Sequence, residues 1–135
     1  MDEVVPFVER HFRVRSGPRH RVLDGSSYGA GIALYTAIQR PRSFDGLLLE
    51  SPSIYAGDYH LLKDAAAVRT WPRRIYIGRG TVQEPVADVT KLEALFQKAG
   101  LGRDRLRVVV REGAAHSEKW WGERLPDPLR FLFPD

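Results

Sequence analysis

The chain contains no cysteine and a single methionine. Without cysteine it can form neither a disulfide nor a thiolate metal site, and thiol redox chemistry is excluded. No histidine pair of the HExxH kind is present, so no metal site is expected, and no cofactor motif appears. Also missing is any apolar run near the roughly 20 residues that a membrane-spanning helix needs. The first residues, "MDEVVPFVERHF", lack a basic region followed by an apolar one. No signal peptide is therefore expected, and the expected location is cytoplasmic. Repeats, linkers and low-complexity stretches are absent as well.

What is present fits one compact domain, residues 1–135, of which 43% is hydrophobic. The formal net charge is +4. Its basic residues are mostly arginines, scattered in "RHFRVR", "GPRHR", "RPR" and "GRDRLR", with no basic helix or base-stacking aromatic motif to organise them. They read as a solvated surface, and no nucleic-acid partner is expected.

Along the chain, residues 3–12 place Val4, Phe7, Val8 and His11 at helical spacing, with Pro6 tolerated in the first turn. Residues 19–25, "RHRVLDG", read as a strand, and 28–40, "YGAGIALYTAIQR", as a helix stopped by Pro41. Residues 45–53 follow as a strand whose run Leu47–Leu49 does not alternate, as in a parallel sheet buried on both faces. A helix over 58–69 and a strand over 73–78 come next. Residues 87–100 are amphipathic, with Asp88 as cap, Val89, Leu92, Leu95 and Phe96 as the stripe, and Gly100 as stop. A strand over 104–113 and a helical segment over 117–133, broken near Pro126 and Pro128, complete the order. Strands alternating with helices predict an α/β fold: a three-layer αβα sandwich around a mainly parallel sheet. In such sheets the active groups collect at the carboxyl ends of the strands.

One stretch carries chemistry. "RVLDGSSYGAG" runs from a strand into a helix through Gly25-Ser26-Ser27-Tyr28-Gly29, a G-x-S-x-G pattern in the strand–turn–helix context that it requires. There the central serine projects its hydroxyl from a strained turn, and the Tyr28 N–H stands ready for an oxyanion. The alternative reading is a polar loop with a serine that caps the helix. Ser26 reads as a turn residue, and Asp24 as a maker of local hydrogen bonds.

A serine nucleophile needs a base, and the base an orienting acid, in the chain order Ser, Asp or Glu, His for this kind of sheet. Glu84 lies in the loop after strand 73–78. Its rival Asp88 opens the next helix, where capping explains it. His116 stands three residues past Gly113, in the loop after the last strand. His11, His20 and His60 belong to helix faces or element starts and read as structural.

These segments resemble a known family. "GSSYGAGIALYTAIQRPRSFDGLLLESPS" resembles the elbow, helix and following strand of the esterase D-like family of α/β-hydrolases. "IYIGRGTVQEP" is similar to its acid loop and "GAAHSEKWWGERL" to its histidine segment. The Gly-x-Gly-Thr-x-x-Glu and His-Ser-x-x-x-Trp-Gly runs are much more specific than the elbow pattern. The resemblance implies Ser27 as nucleophile, Glu84 as acid and His116 as base, acting on small-molecule esters by hydrolysis or acyl transfer. Tyr55, Trp120 and Trp121 are expected near the acyl site, with packing of the last helix as the competing role for the two tryptophans. Family members are usually about twice this length. The resemblance places the difference in an N-terminal half that supplies the first strands and a second oxyanion donor. A truncated α/β-hydrolase fold is thus expected, with the elbow strand at a sheet edge that favours self-association. The alternative function is a catalytically impaired remnant. Ala30, where relatives often have glycine, suits a helix.

Overall fold

The computed structural model describes residues 2–82 and 86–134. Helix α1 (Val4–His11) and a short 3₁₀ turn at Pro18–His20 lead into β1 (Val22–Ser26). Then come α2 (Tyr28–Gln39), β2 (Gly46–Glu50), α3 (His60–Ala66), β3 (Arg74–Val82), α4 (Ala87–Lys98), β4 (Leu106–Ala115), α5 (Glu118–Arg124) and α6 (Pro126–Leu132). The four strands form one sheet in the order β1-β2-β3-β4, every pair parallel. Right-handed crossovers that step always to the same side must lay α2, α3 and α4 on one face. The chain then turns after β4 and lays α6 on the other.

The packing follows that division. Leu47, Leu49, Ile75 and Ile77 meet Ala33, Leu34 and Ala37 of α2, Ala65 of α3, and Val89, Leu92 and Phe96 of α4. The alanines of α2 let that helix approach the sheet closely, and Ala30 is fully buried. Leu48 and Tyr76 point to the opposite face, onto Phe131 and Leu132 of α6. The β2 run is buried at every position, as its lack of alternation predicts. The three-layer αβα arrangement expected from the element order is therefore the one observed.

Differences from the sequence reading have local causes. Strand β2 ends at Glu50 because Ser51 turns left-handed, with φ 46°. Strand β3 continues past Gly78 to Val82, because Gly80 lies where the β3–β4 register shifts and its hydrogen faces the Ala114 carbonyl. A Cβ there would stand 2.0 Å from that oxygen. Helix α4 starts on Val86 rather than on an Asp88 cap. The Asp88 carboxylate is buried and accepts the Tyr59 hydroxyl at 3.0 Å and Lys91 Nζ at 3.4 Å. The predicted last helix is two, joined at Leu125 with Pro126 opening α6. Among the described residues no helix is long and apolar enough to cross a membrane.

Helix α1 forms where its spacing places it but buries no residue, and Phe7 is half exposed. Its tether is polar. Glu9 accepts Arg21 Nη2 at 2.6 Å and the Gly17 N–H at 3.2 Å. These bonds, the arginine's first, hold the Glu9 carboxyl below its ordinary value. A depressed carboxyl contributes above its unfolded pKa of about 4.3 and loses that contribution as pH falls through its folded value. The amides of α1 will accordingly exchange faster at pH 3 than at pH 7 relative to those of β2. Hydrogen exchange of the Glu9→Gln variant will lack that difference.

Candidate active site

The sheet fixes where chemistry can occur. Ser27 directly follows β1, Ser51 and Ser53 follow β2, and His116 directly follows β4. All stand at the carboxyl end of the parallel sheet. Glu84, the expected acid, lies two positions beyond the end of β3 and outside the described residues.

Ser27 has φ 57° and ψ −124°, a conformation that residues other than glycine rarely adopt. It is held by backbone bonds on both sides. Its N–H donates to the Glu50 carbonyl at 2.9 Å, and its carbonyl accepts the Ala30 N–H at 3.1 Å and the Ser53 N–H at 3.2 Å. The hydroxyl makes no capping bond to α2, which argues against a serine present only to cap that helix. Its Oγ stands 3.5 Å from Ser53 Oγ instead. Gly25 permits the turn: a Cβ there would lie 2.2 Å from the Gly29 carbonyl oxygen. Gly29 itself faces open space. Tyr28 opens α2, so its N–H has no acceptor within the helix.

Around the serine, the rings of Tyr28 and Tyr55 meet edge to face at 6.4 Å, both substantially exposed. The neighbouring Tyr55 hydroxyl raises the Tyr28 phenol above its ordinary pKa. A shallow groove of about 280 Å³ runs beside them, lined by Tyr28, Ile32, Tyr35, Ser53 and Leu61.

His116 packs edge to face on Trp121, with centroids 5.1 Å apart and planes at 82°. The Trp121 indole N–H donates to Ser51 Oγ at 3.0 Å. Two cations stand over the Trp120 ring, Arg111 at 4.9 Å and Lys119 at 5.4 Å from its centroid. Of the other histidines, His11 contacts the Phe7 carbonyl within α1 and His60 the Gly57 carbonyl, while His20 sits in the 3₁₀ turn. Asp24 is exposed on β1 beside the Gly25 N–H.

Sequence reasoning missed the buried ion pair at the end of β2. Glu50 and Arg124 are 3% and 5% exposed. Arg124 reaches Glu50 Oε2 with Nη2 at 2.7 Å and Nε at 3.1 Å. The carboxylate lies over Gly78, where a Cβ would come within 2.4 Å of it. The available signal was a glutamate closing an otherwise apolar strand, "GLLLE". Among the described residues no cluster of three or more potential ligands could hold a metal ion.

A serine at a strained strand-to-helix turn, at the carboxyl end of a parallel sheet with helices on both faces, is the architecture of α/β-hydrolase-type esterases. The family model described as "Putative esterase" matches residues 1–132, and the chain belongs to that family. It is 28% identical over 133 residues to an endo-1,4-beta-xylanase/feruloyl esterase of Xylanibacter ruminicola, covering 98% of this chain and 17% of the relative. Its fold resembles that of the BES protein of Bacillus cereus at a TM-score of 0.74 and 20% identity, over 97% of this chain and 51% of the other. Enterochelin esterase of Shigella flexneri superimposes at 0.80 with 21% identity, over 98% and 35%. The chain thus spans about half, or less, of the length of these relatives.

Strain at Ser27 is measurable. A left-handed non-glycine residue costs about 1–3 kcal/mol, and glycine loses about 0.5–1 kcal/mol to chain entropy. Ser27→Gly will therefore raise the unfolding free energy by about 1 kcal/mol in urea titration. Gly25→Ala will lower it by about 3 kcal/mol, since the added carbon overlaps backbone rather than a movable side chain.

Proposed function

We propose that this chain carries the catalytic apparatus of a serine ester hydrolase, with Ser27, His116 and Glu84 as the triad. The observation that carries the reading is the backbone of Ser27, strained at the mouth of the sheet with its hydroxyl uninvolved in capping α2. His116 takes the proton of Ser27 Oγ as that oxygen attacks an ester carbonyl. Glu84 orients the imidazole and stabilises the imidazolium that forms. The Tyr28 N–H, at the positive end of α2, binds the developing oxyanion. The imidazolium gives its proton to the departing alcohol, and water or a second alcohol releases the acyl group from the serine. Tyr55 and the groove beside Tyr28 border the space for the substrate. The scheme requires no metal and no cofactor, and its partner is a small-molecule ester.

A fluorophosphonate probe will label Ser27, and tryptic mass mapping identifies the residue; label on another residue would end the reading. Hydrolysis of a short p-nitrophenyl ester will fall about 10⁴-fold or more in Ser27→Ala and in His116→Ala.

The position of β1 favours a second reading. Among the described strands it is the edge of the sheet, and the chain spans about half, or less, of the length of its structural relatives. In that reading this chain by itself holds the elbow without a second oxyanion donor, at a cost of about 10²–10³ in kcat. Labelling of Ser27 without turnover would select it. The same open edge supports self-association. Light scattering at rising concentration will show mass above that of one chain, and a constant monomer mass would refute it.

A further inference from the structure

We infer that Trp121 is a positioning residue for His116, and that the segment Glu50–Ser51 fixes it there by docking α5. The inference rests on the reading of His116 as the base. His116 is exposed on the loop that leaves β4, so the strand alone does not set its ring. Trp121 packs against it: the two rings meet at 5.1 Å and 82°, the edge-to-face geometry that aromatic quadrupoles favour.

Trp121 is itself oriented from the sheet. Its indole N–H donates to Ser51 Oγ at 3.0 Å. Ser51 is buried, left-handed at φ 46°, and anchored by its own N–H to the Gly78 carbonyl at 2.7 Å. One helical turn along α5, on the same face, Arg124 is held by the Glu50 carboxylate. The last residue of β2 and the one that follows it thus grip one face of a seven-residue helix that directly follows the histidine loop.

The same stretch also holds the nucleophile. The Glu50 carbonyl accepts the Ser27 N–H, and Ser53 donates its N–H to the Ser27 carbonyl. Residues 50–53 therefore bond the elbow on one side and, through Trp121, orient the imidazole on the other. They act as the spacer between nucleophile and base.

Trp121→Phe keeps a ring against His116 but removes the N–H, and Ser51→Ala removes its acceptor. Displacing a catalytic group by a fraction of an ångström is expected to lower kcat for a p-nitrophenyl ester about 10-fold in either variant, with KM unchanged. The double variant will be no slower than either single one. In a His116→Ala background neither change will lower the residual rate further. Parent-like kcat, additive losses, or losses that persist without His116 would each overturn the inference. Because Ser51→Ala alters a strained position, Trp121→Phe tests the same bond without touching that backbone.

A readout independent of turnover separates this inference from the proposed function. The imidazole proton resonances of His116, identified by their disappearance in His116→Ala, will move in Trp121→Leu as the ring current is lost. Unmoved resonances would overturn the inference. Moved resonances in a chain without Ser27 labelling would support the contact while removing the esterase reading.

Discussion

A carboxylate withdrawn from water governs the geometry of this molecule. Glu50 ends the most deeply buried strand, with Arg124 against it. Such a pair gains little net stability over an apolar one, yet removing the carboxylate strands the guanidinium, at about 3–5 kcal/mol. Its value lies in direction. An apolar contact would let α5 slide, whereas a guanidinium bonded twice to one oxygen admits a narrow range of positions. The requirement extends into the sequence: Gly78 must lack a side chain for the carboxylate to lie where it does. Part of the "GRG" run is thus accounted for by packing. Close by, burial pushes the Tyr76 phenol well above its ordinary pKa, reinforced by Asp127, whose carboxylate takes the tyrosine hydroxyl at 2.9 Å and Arg107 at 2.8 Å. Both helices that follow β4 are therefore fastened to the sheet by ionic contacts as well as by Phe131 and Leu132.

Features set by neighbours in the chain were legible in the sequence. The strand–turn–helix around Ser27, the apolar stripe of α4, the doubly buried β2 and the histidine at the end of β4 each follow from spacing within a short window. The alternation of strands and helices then fixed the layers, because crossover handedness leaves little choice. Asp88 shows the limit of local reasoning. Capping is the cheapest role for an aspartate near a helix start, and only the fold reveals that Tyr59 claims its oxygen instead.

What was illegible depends on residues far apart in the chain. Glu50 and Arg124 are 74 positions apart, and Ser51 and Trp121 are 70. Neither pair leaves a periodic trace. The extension of β3 beyond Gly78, through Arg79 and Gly80 to Val82, was hidden for a related reason. Glycine reads as a strand stop, but each of these glycines lies where a side chain would collide with a group from another element. Helix α1 is the converse case: its amphipathic spacing is met by a helix without a buried residue, which Glu9 and Arg21 tether instead.

The strand order has a consequence for where a ligand crevice can open. Four parallel strands added always to the same side wind in one sense, and one-way winding brings all the crossover helices over a single face. Crevices in open α/β sheets arise where the winding reverses and neighbouring connections diverge to opposite faces. Among the described strands no reversal occurs. A further parallel strand laid beside β1, with its own right-handed crossover leading away from β1 rather than to it, would run the winding the other way, and the divergence would fall at β1 itself. Such a cleft would open over the strand that ends in the strained serine.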